Sequence, residues 1–288
     1  MIAVALAAFA LGGCPHDATL GKLTYDRGST AHVLSFADCS DRAAGRAAPA
    51  APAVPAATRR RLTRLVGPLP KVDGGLRQWP EPLLVSPDGR WALWARALAS
   101  GSITADGLPL AVTSLATGET RRLGTGLVYA DYASWCGSAL VLTLGRDRIS
   151  THDKRLVAAR PPDWTPRPLW RAPGRAFGSV ACAPGGRSVA VLSQPESADA
   201  RFFDTRWQLW QVDLDGSRTL LDAPPAGSAD ESPLWSPDGS ALLFVREHRG
   251  HGRAVLLRNG TLFGVTSLGY SLGFYGHHAW WAGATWHA

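Results

Sequence analysis

Two ten-residue segments of the chain are nearly superimposable: Val85-Ser-Pro-Asp-Gly-Arg-Trp-Ala-Leu-Trp94 and Trp235-Ser-Pro-Asp-Gly-Ser-Ala-Leu-Leu-Phe244. A turn followed by a short apolar run, when it recurs, marks a small unit that must stack on its neighbours to bury its own faces. Cys182-Ala-Pro-Gly-Gly-Arg-Ser-Val-Ala-Val191 is a degenerate third copy, and Trp135-Cys-Gly-Ser-Ala-Leu-Val-Leu142 a fourth that has lost the proline. The pattern is fainter at Trp280-Trp-Ala-Gly-Ala-Thr-Trp286. Anchored on Val85, Trp135, Cys182, Trp235 and Trp280, the spacings are 50, 47, 53 and 45 residues.

The chemistry of each copy predicts strands and tight turns. Pro fixes φ at the first corner of Ser-Pro-Asp-Gly, Asp bonds back to the backbone, and Gly accepts a positive φ. The apolar run that follows, as in Ala241-Leu-Leu-Phe-Val245, has strand length. A second hairpin signal comes later in the copy, at Ala116-Thr-Gly-Glu119, Asp215-Gly216 and Asn259-Gly260. One unit therefore reads as four antiparallel strands, and a period in this range is that of a β-propeller blade.

Asp230-Glu-Ser-Pro-Leu-Trp-Ser-Pro-Asp-Gly-Ser-Ala-Leu-Leu-Phe244 resembles the repeat of TolB-like β-propellers, which carries Pro-x-Trp-Ser-Pro-Asp-Gly at the turn between the first two strands of a blade. The likeness is strong at 79–96 and 230–247 and extends over most of 79–288. It implies an exported protein that binds protein partners without catalysis. The signature is a structural turn, so it specifies fold far more than activity.

Four intervals fill residues 85–280. Leu23-Thr-Tyr25 and His32-Val-Leu-Ser-Phe36 resemble second and third strands, and Gly276-His-His-Ala-Trp280 a first strand without the rest of its blade. Joining the ends completes one blade from both termini and removes free sheet edges. The reading is an all-β propeller of five four-stranded blades, with six as the alternative. Residues 43–57, nearly all Ala and Pro, are expected to be a mobile insertion. Leu62 and Leu65 are expected to supply the outer strand of the composite blade.

Ile2 to Leu11 is an unbroken apolar run, too short to span a bilayer and suited to a signal-peptide core. With Leu11-Gly-Gly-Cys14 behind it, 1–14 reads as a signal segment with a possible lipobox, and 15–288 as one propeller domain. Lipidation of Cys14 would leave three cysteines. Cys136 and Cys182 occupy near-equivalent positions in neighbouring blades and are expected to form a disulfide, with Cys39 free. No Cys spacing resembles a zinc or redox motif, and no cofactor is expected.

The catalytic candidates are weak. Gly269-Tyr-Ser-Leu-Gly273 matches a nucleophile elbow, but no Asp or Glu follows it, and no parallel sheet is there to carry it. Asp230 and Glu231 are expected just before the first strand of their blade, near the channel mouth, with binding and capping roles both open. His277 and His278 are expected in the closing strand, at most one of them facing the channel. The formal charge of +7 draws attention to Arg59, Arg60, Arg61 and Arg64 as contacts for an anionic envelope surface. They lack the interleaved aromatics of a nucleic-acid module.

The functional reading is thus a non-enzymatic, exported scaffold at the cell envelope that binds a protein partner or ligand and touches membrane only through a lipid anchor. A hydrolase or lyase with its site in the channel is the alternative, and a sensor domain of an envelope assembly the third.

Overall fold

The computed structural model describes residues 13–27, 29–46, 54–71, 77–98, 107–198, 206–271, 277, 278, 280 and 284–288. The apolar run of the signal segment and the middle of the Ala/Pro insertion lie outside these residues.

The described residues form five four-stranded antiparallel sheets. The composite sheet contains β1 (Lys22–Arg27), β2 (Thr30–Ser35) and β3 (Asp41–Arg46). The second sheet runs through β4 (Gln78–Val85), β5 (Trp91–Leu98), β6 (Leu108–Ser114) and β7 (Thr120–Gly126). The third holds β8 (Ala133–Cys136), β9 (Ala139–Leu144), β10 (Arg155–Ala159) and β11 (Arg167–Pro168). The fourth holds β12 (Arg175–Cys182), β13 (Ser188–Pro195), β14 (Gln208–Asp213) and β15 (Arg218–Asp222). The fifth holds β16 (Ser228–Trp235), β17 (Ala241–His248), β18 (His251–Arg258) and β19 (Thr261–Tyr270). The last strand, β20 (Thr285–His287), joins the composite sheet in the order β20-β1-β2-β3, with Leu23 opposite Trp286.

The repeated turn works as its residues require. Ser86 Oγ accepts from the backbone N–H groups of Arg90 and Trp91, at 3.1 and 2.9 Å. Asp88 Oδ1 accepts from Arg90 N at 3.0 Å, and Gly89 sits at φ 69°. Ser236, Asp238 and Gly239 repeat the arrangement, with Gly239 at φ 74°. Asp carboxylates that accept such bonds are held below their usual range, the Ser86 hydroxyl being the main cause at Asp88 and the Ser236 hydroxyl at Asp238.

The apolar strands of the third, fourth and fifth sheets are buried on both faces because each of these sheets packs against two neighbours. Along β5, Leu93 and Ala95 join an apolar cluster shared with Leu140 and Leu142 of the third sheet, while Ala92 and Trp94 turn the other way. Val141 and Val191 meet between the third and fourth sheets, and Leu192 and Phe244 between the fourth and fifth. Leu243 and Val245 meet Leu23 and Trp286 between the fifth and composite sheets. The opposite face of the second sheet packs instead on a helix, α1 (Ala56–Val66), whose Leu62 lies against Ala92, Trp94, Ala111 and Leu115.

Three sequence expectations are corrected here. The outer strand of the composite sheet is β3, formed from residues 41–46, so the strand begins before the segment read as a mobile insertion and runs into its first residues. Leu62 and Leu65 belong to α1, not to a strand: apolar residues at 62, 65, 66 and 69 follow a helical period, and four arginines favour helix over strand. The anchor of the last first strand is Trp286, not Trp280. Its ring stacks on Phe36 at 5.0 Å between centroids, and its Nε1 donates to Leu20 O at 2.6 Å.

Candidate functional site

Short segments leading into or running along the innermost strands converge at one end of the sheets. Asp131 lies in a single 3-10 turn ahead of β8, Ser179 in an irregular stretch of β12, Glu231 at the start of one in β16 and Ser232 within it. His277 and His278 precede β20. Where a strand pair loses register for two residues, side chains are re-aimed out of the sheet's alternation. That brings Ser179 and Glu231 to the same place as the two histidines.

The result is two clusters. His277 Nε2 lies 3.0 and 2.9 Å from the two Asp131 oxygens, and Ser179 Oγ donates to Asp131 Oδ2 at 2.7 Å. Tyr129 stacks on the His277 ring at 3.8 Å between centroids, and Tyr132 meets its edge at 5.3 Å. Burial would raise the Asp131 carboxyl, but the His277 charge and the hydrogen bonds from His277 and Ser179 hold it below its usual range. Burial together with Asp131 pushes the Tyr132 hydroxyl well up.

In the second cluster, His278 Nδ1 lies 2.9 and 2.7 Å from the Glu231 oxygens, and Trp280 Nε1 donates to Glu231 Oε2 at 3.1 Å. Ser232 Oγ donates to the carbonyl of His278 at 3.1 Å. Burial alone would lower the His278 pKa; the Glu231 hydrogen bond and the charges of Glu231 and Glu247 overcome this and raise it. His278 Nε2 is buried and has no partner among the described residues. The cavity bounded by Tyr132, Ser179, Glu231, His277 and His278 has about 10 Å³ open to the centre of a water molecule, room for about one.

The four sequence candidates are thus divided. Glu231 and His278 bond each other, and His277 turns to Asp131, as expected of successive residues that point apart. Asp230 lies within β16, not before it, and faces away: Arg246 Nε donates to its Oδ1 at 2.9 Å, and burial is the main cause pushing its carboxyl well up. Arg59 is tied to Glu81 at 2.9 Å, leaving Arg60, Arg61 and Arg64 exposed along α1.

Ser271 of the elbow-like motif follows directly on β19 and donates its backbone N–H to Gly250 O, so it sits at a strand end; residues 272 and 273 lie outside the described residues. Of the serines that do reach the site, Ser179 donates to a carboxylate and Ser232 to a backbone carbonyl, so neither makes the serine–imidazole contact of a hydrolase.

The cysteines pair across the chain. Cys136 and Cys182 are bonded with Cα atoms 5.4 Å apart, where the turn after β12 presses on the turn after β8. Cys14 and Cys39 are bonded with Cα atoms 5.9 Å apart. This differs from the lipid expected on Cys14 and the free thiol expected at Cys39, since one sulfur cannot carry both a disulfide and a thioether. Among the described residues no group of three or more His, Cys, Asp or Glu side chains is placed to hold a metal ion, and no helix is long and apolar enough to cross a membrane.

Asp131, Ser179 and Tyr129 were missed in the sequence and Trp280 was read only as a strand anchor, although a signal existed for Asp131. Glu81, Asp131 and Glu231 each stand four residues before the anchors Val85, Trp135 and Trp235.

No family model matches the chain, and no curated protein sequence matches it. Among solved structures it is similar to TolB from Acinetobacter baumannii, with 13% identity and a TM-score of 0.52, over 87% of this chain and 65% of that one. It is also similar to a putative TolB from Agrobacterium tumefaciens, with 14% identity and a TM-score of 0.46, over 88% of this chain and 80% of that one. The chain therefore spans 65% of the length of the Acinetobacter protein. The likeness is one of fold: an all-β protein of five four-stranded sheets, of the TolB-like propeller type.

Proposed function

We propose that the chain is an exported, non-enzymatic propeller of the TolB-like repeat family that acts as a protein-binding scaffold at the cell envelope. The observation that carries this reading is that His277 and Ser179 are bonded to Asp131, and His278 Nδ1 to Glu231, around a space for about one water. Such a mouth offers a partner a sealed surface built from several sheets, and gives a substrate little room. Two disulfides that use all four cysteines favour an oxidising compartment, which supports export. The exposed Arg60, Arg61 and Arg64 give α1 a face suited to anionic envelope surfaces.

In this reading the β1–β20 pairing closes the ring. The experiment is affinity capture from native envelope fractions with the full chain as bait, followed by reconstitution from purified components. The expected result is one protein that re-forms a stoichiometric complex. Turnover of a peptide or glycan by the pure chain, without such a complex, would contradict the proposal.

A further inference from the structure

The register of β17 against β18 sets Arg246 opposite Arg253 and His248 opposite His251. Residues two apart on a strand share a face, so these four side chains form one block on the hairpin end of the fifth sheet. Like charges placed directly opposite each other destabilise a strand pair, and a block of this kind calls for a counter-charge. Arg246 has its own: it donates to Asp230 at 2.9 Å and to Asp222. Arg253 is bonded to no carboxylate among the described residues. Its guanidinium lies across Gly264, where a methyl group would meet Nη2 at 2.6 Å, so the glycine keeps the space in which the cation is laid along the sheet.

The same four side chains, with Ser228 and Ser267, line an open groove of about 570 Å³, and no carboxylate is among its described lining residues. His248 Nδ1 faces Gly227 O at 2.8 Å, so that nitrogen carries the proton. His251 rests against Tyr270 with ring centroids 5.2 Å apart, and Tyr270 is 56% exposed, giving the block an aromatic wall. Arg249, exposed in the hairpin, adds positive charge, whereas Arg27 donates to Ser267 O at 2.8 Å and is paired with Asp41 at 3.6 Å. The nearby acids are engaged elsewhere. Asp41 accepts from Tyr25 and Thr266 and pairs with His32, and Glu247, whose strand position faces the other side, accepts from Gly250 N.

We propose that this groove binds a small molecule carrying a carboxylate or phosphate on a ring, the class that includes uronic acids and sugar phosphates. The oxyanion sits on the planar fork of Arg253, which suits either group, and the ring lies against Tyr270. The groove has the volume of a small-molecule site and exceeds what a bare anion needs. This inference does not depend on the protein-partner reading.

The test is calorimetric titration of the full chain with inorganic phosphate, glucose 6-phosphate, glucuronate and glucose. Single-site binding of glucose 6-phosphate or glucuronate is expected, and which of them binds tells phosphate from carboxylate; glucose should not bind. Arg253→Gln should weaken that binding about tenfold or more with melting unchanged, while Arg121→Gln on β7 should leave it intact. Tyr270→Ala should weaken the ring-bearing anions and spare inorganic phosphate. Absence of saturable binding by any anion, or binding that survives Arg253→Gln, would overturn the proposal. Equal loss with Arg121→Gln would do so too, by showing diffuse charge attraction.

Discussion

Glu231 shows how much a single side chain can hold at the centre of such a fold. Its carboxylate is 3% exposed and receives both His278 and Trp280, so one residue of β16 fixes the segment that leads into β20. Glu231→Ala would leave His278 buried without its counter-charge, and breaking a buried pair in this way costs about 3–5 kcal/mol. Chemical denaturation should read that loss directly. The pH dependence has a definite sign. Because the folded pKa of His278 is raised above its ordinary 6.5, its contribution is complete below that value and is lost as pH rises through the folded pKa. Wild-type stability should therefore decline on the alkaline side of pH 6.5, and Glu231→Ala should flatten that slope; an unchanged slope would refute the assignment. The acids four residues before an anchor were legible in the sequence, but their partners were not. Glu81 meets Arg59, Asp131 meets His277 and Glu231 meets His278 across 22, 146 and 47 residues of chain. No local pattern encodes contacts between residues so far apart in the chain.

At the scale of elements, turn chemistry located the inner strands because Ser-Pro-Asp-Gly acts through its own backbone. The first strands end at Val85, Cys136, Cys182 and Trp235, within a residue of four of the anchors. The fifth anchor was misplaced because β20 has no such turn behind it. There Gly21, at φ 68°, lies against the backbone of His287, whose carbonyl oxygen leaves no room for a Cβ. The helix was hidden by composition: Ala and Pro before it suggested an extended linker, and the apolar residues that reveal its period come only at its C-terminal half. Leu62 is fully buried against the second sheet, so Leu62→Ala should cost about 2–5 kcal/mol, measurable by thermal melting. A change within a few tenths would mean that α1 does not pack there. Peptide mapping without reductant should find Cys136 joined to Cys182 and Cys14 joined to Cys39. Across the 46-residue separation of the first pair, reduction should remove about 3–4 kcal/mol in the chain-entropy picture. Free thiols at 136 and 182, or a lipid on Cys14, would contradict these pairings.

For the whole molecule, four apolar clusters join the five sheets in sequence, and α1 covers the remaining face of the second sheet. The ends of the chain meet in one sheet, where β20 supplies Trp286 to a core shared with Leu23, Leu34 and Phe36. Everything else in the account depends on that junction, including the approach of His277 and His278 to their carboxylates. The direct measurement is thermal unfolding and solution size of a chain ending at residue 283, which keeps both histidines and removes β20. Loss of the strand exposes the edge of β1 and opens the Trp286 site. A lower, less cooperative transition with self-association is expected. A monomeric truncation that melts with the full chain would contradict it.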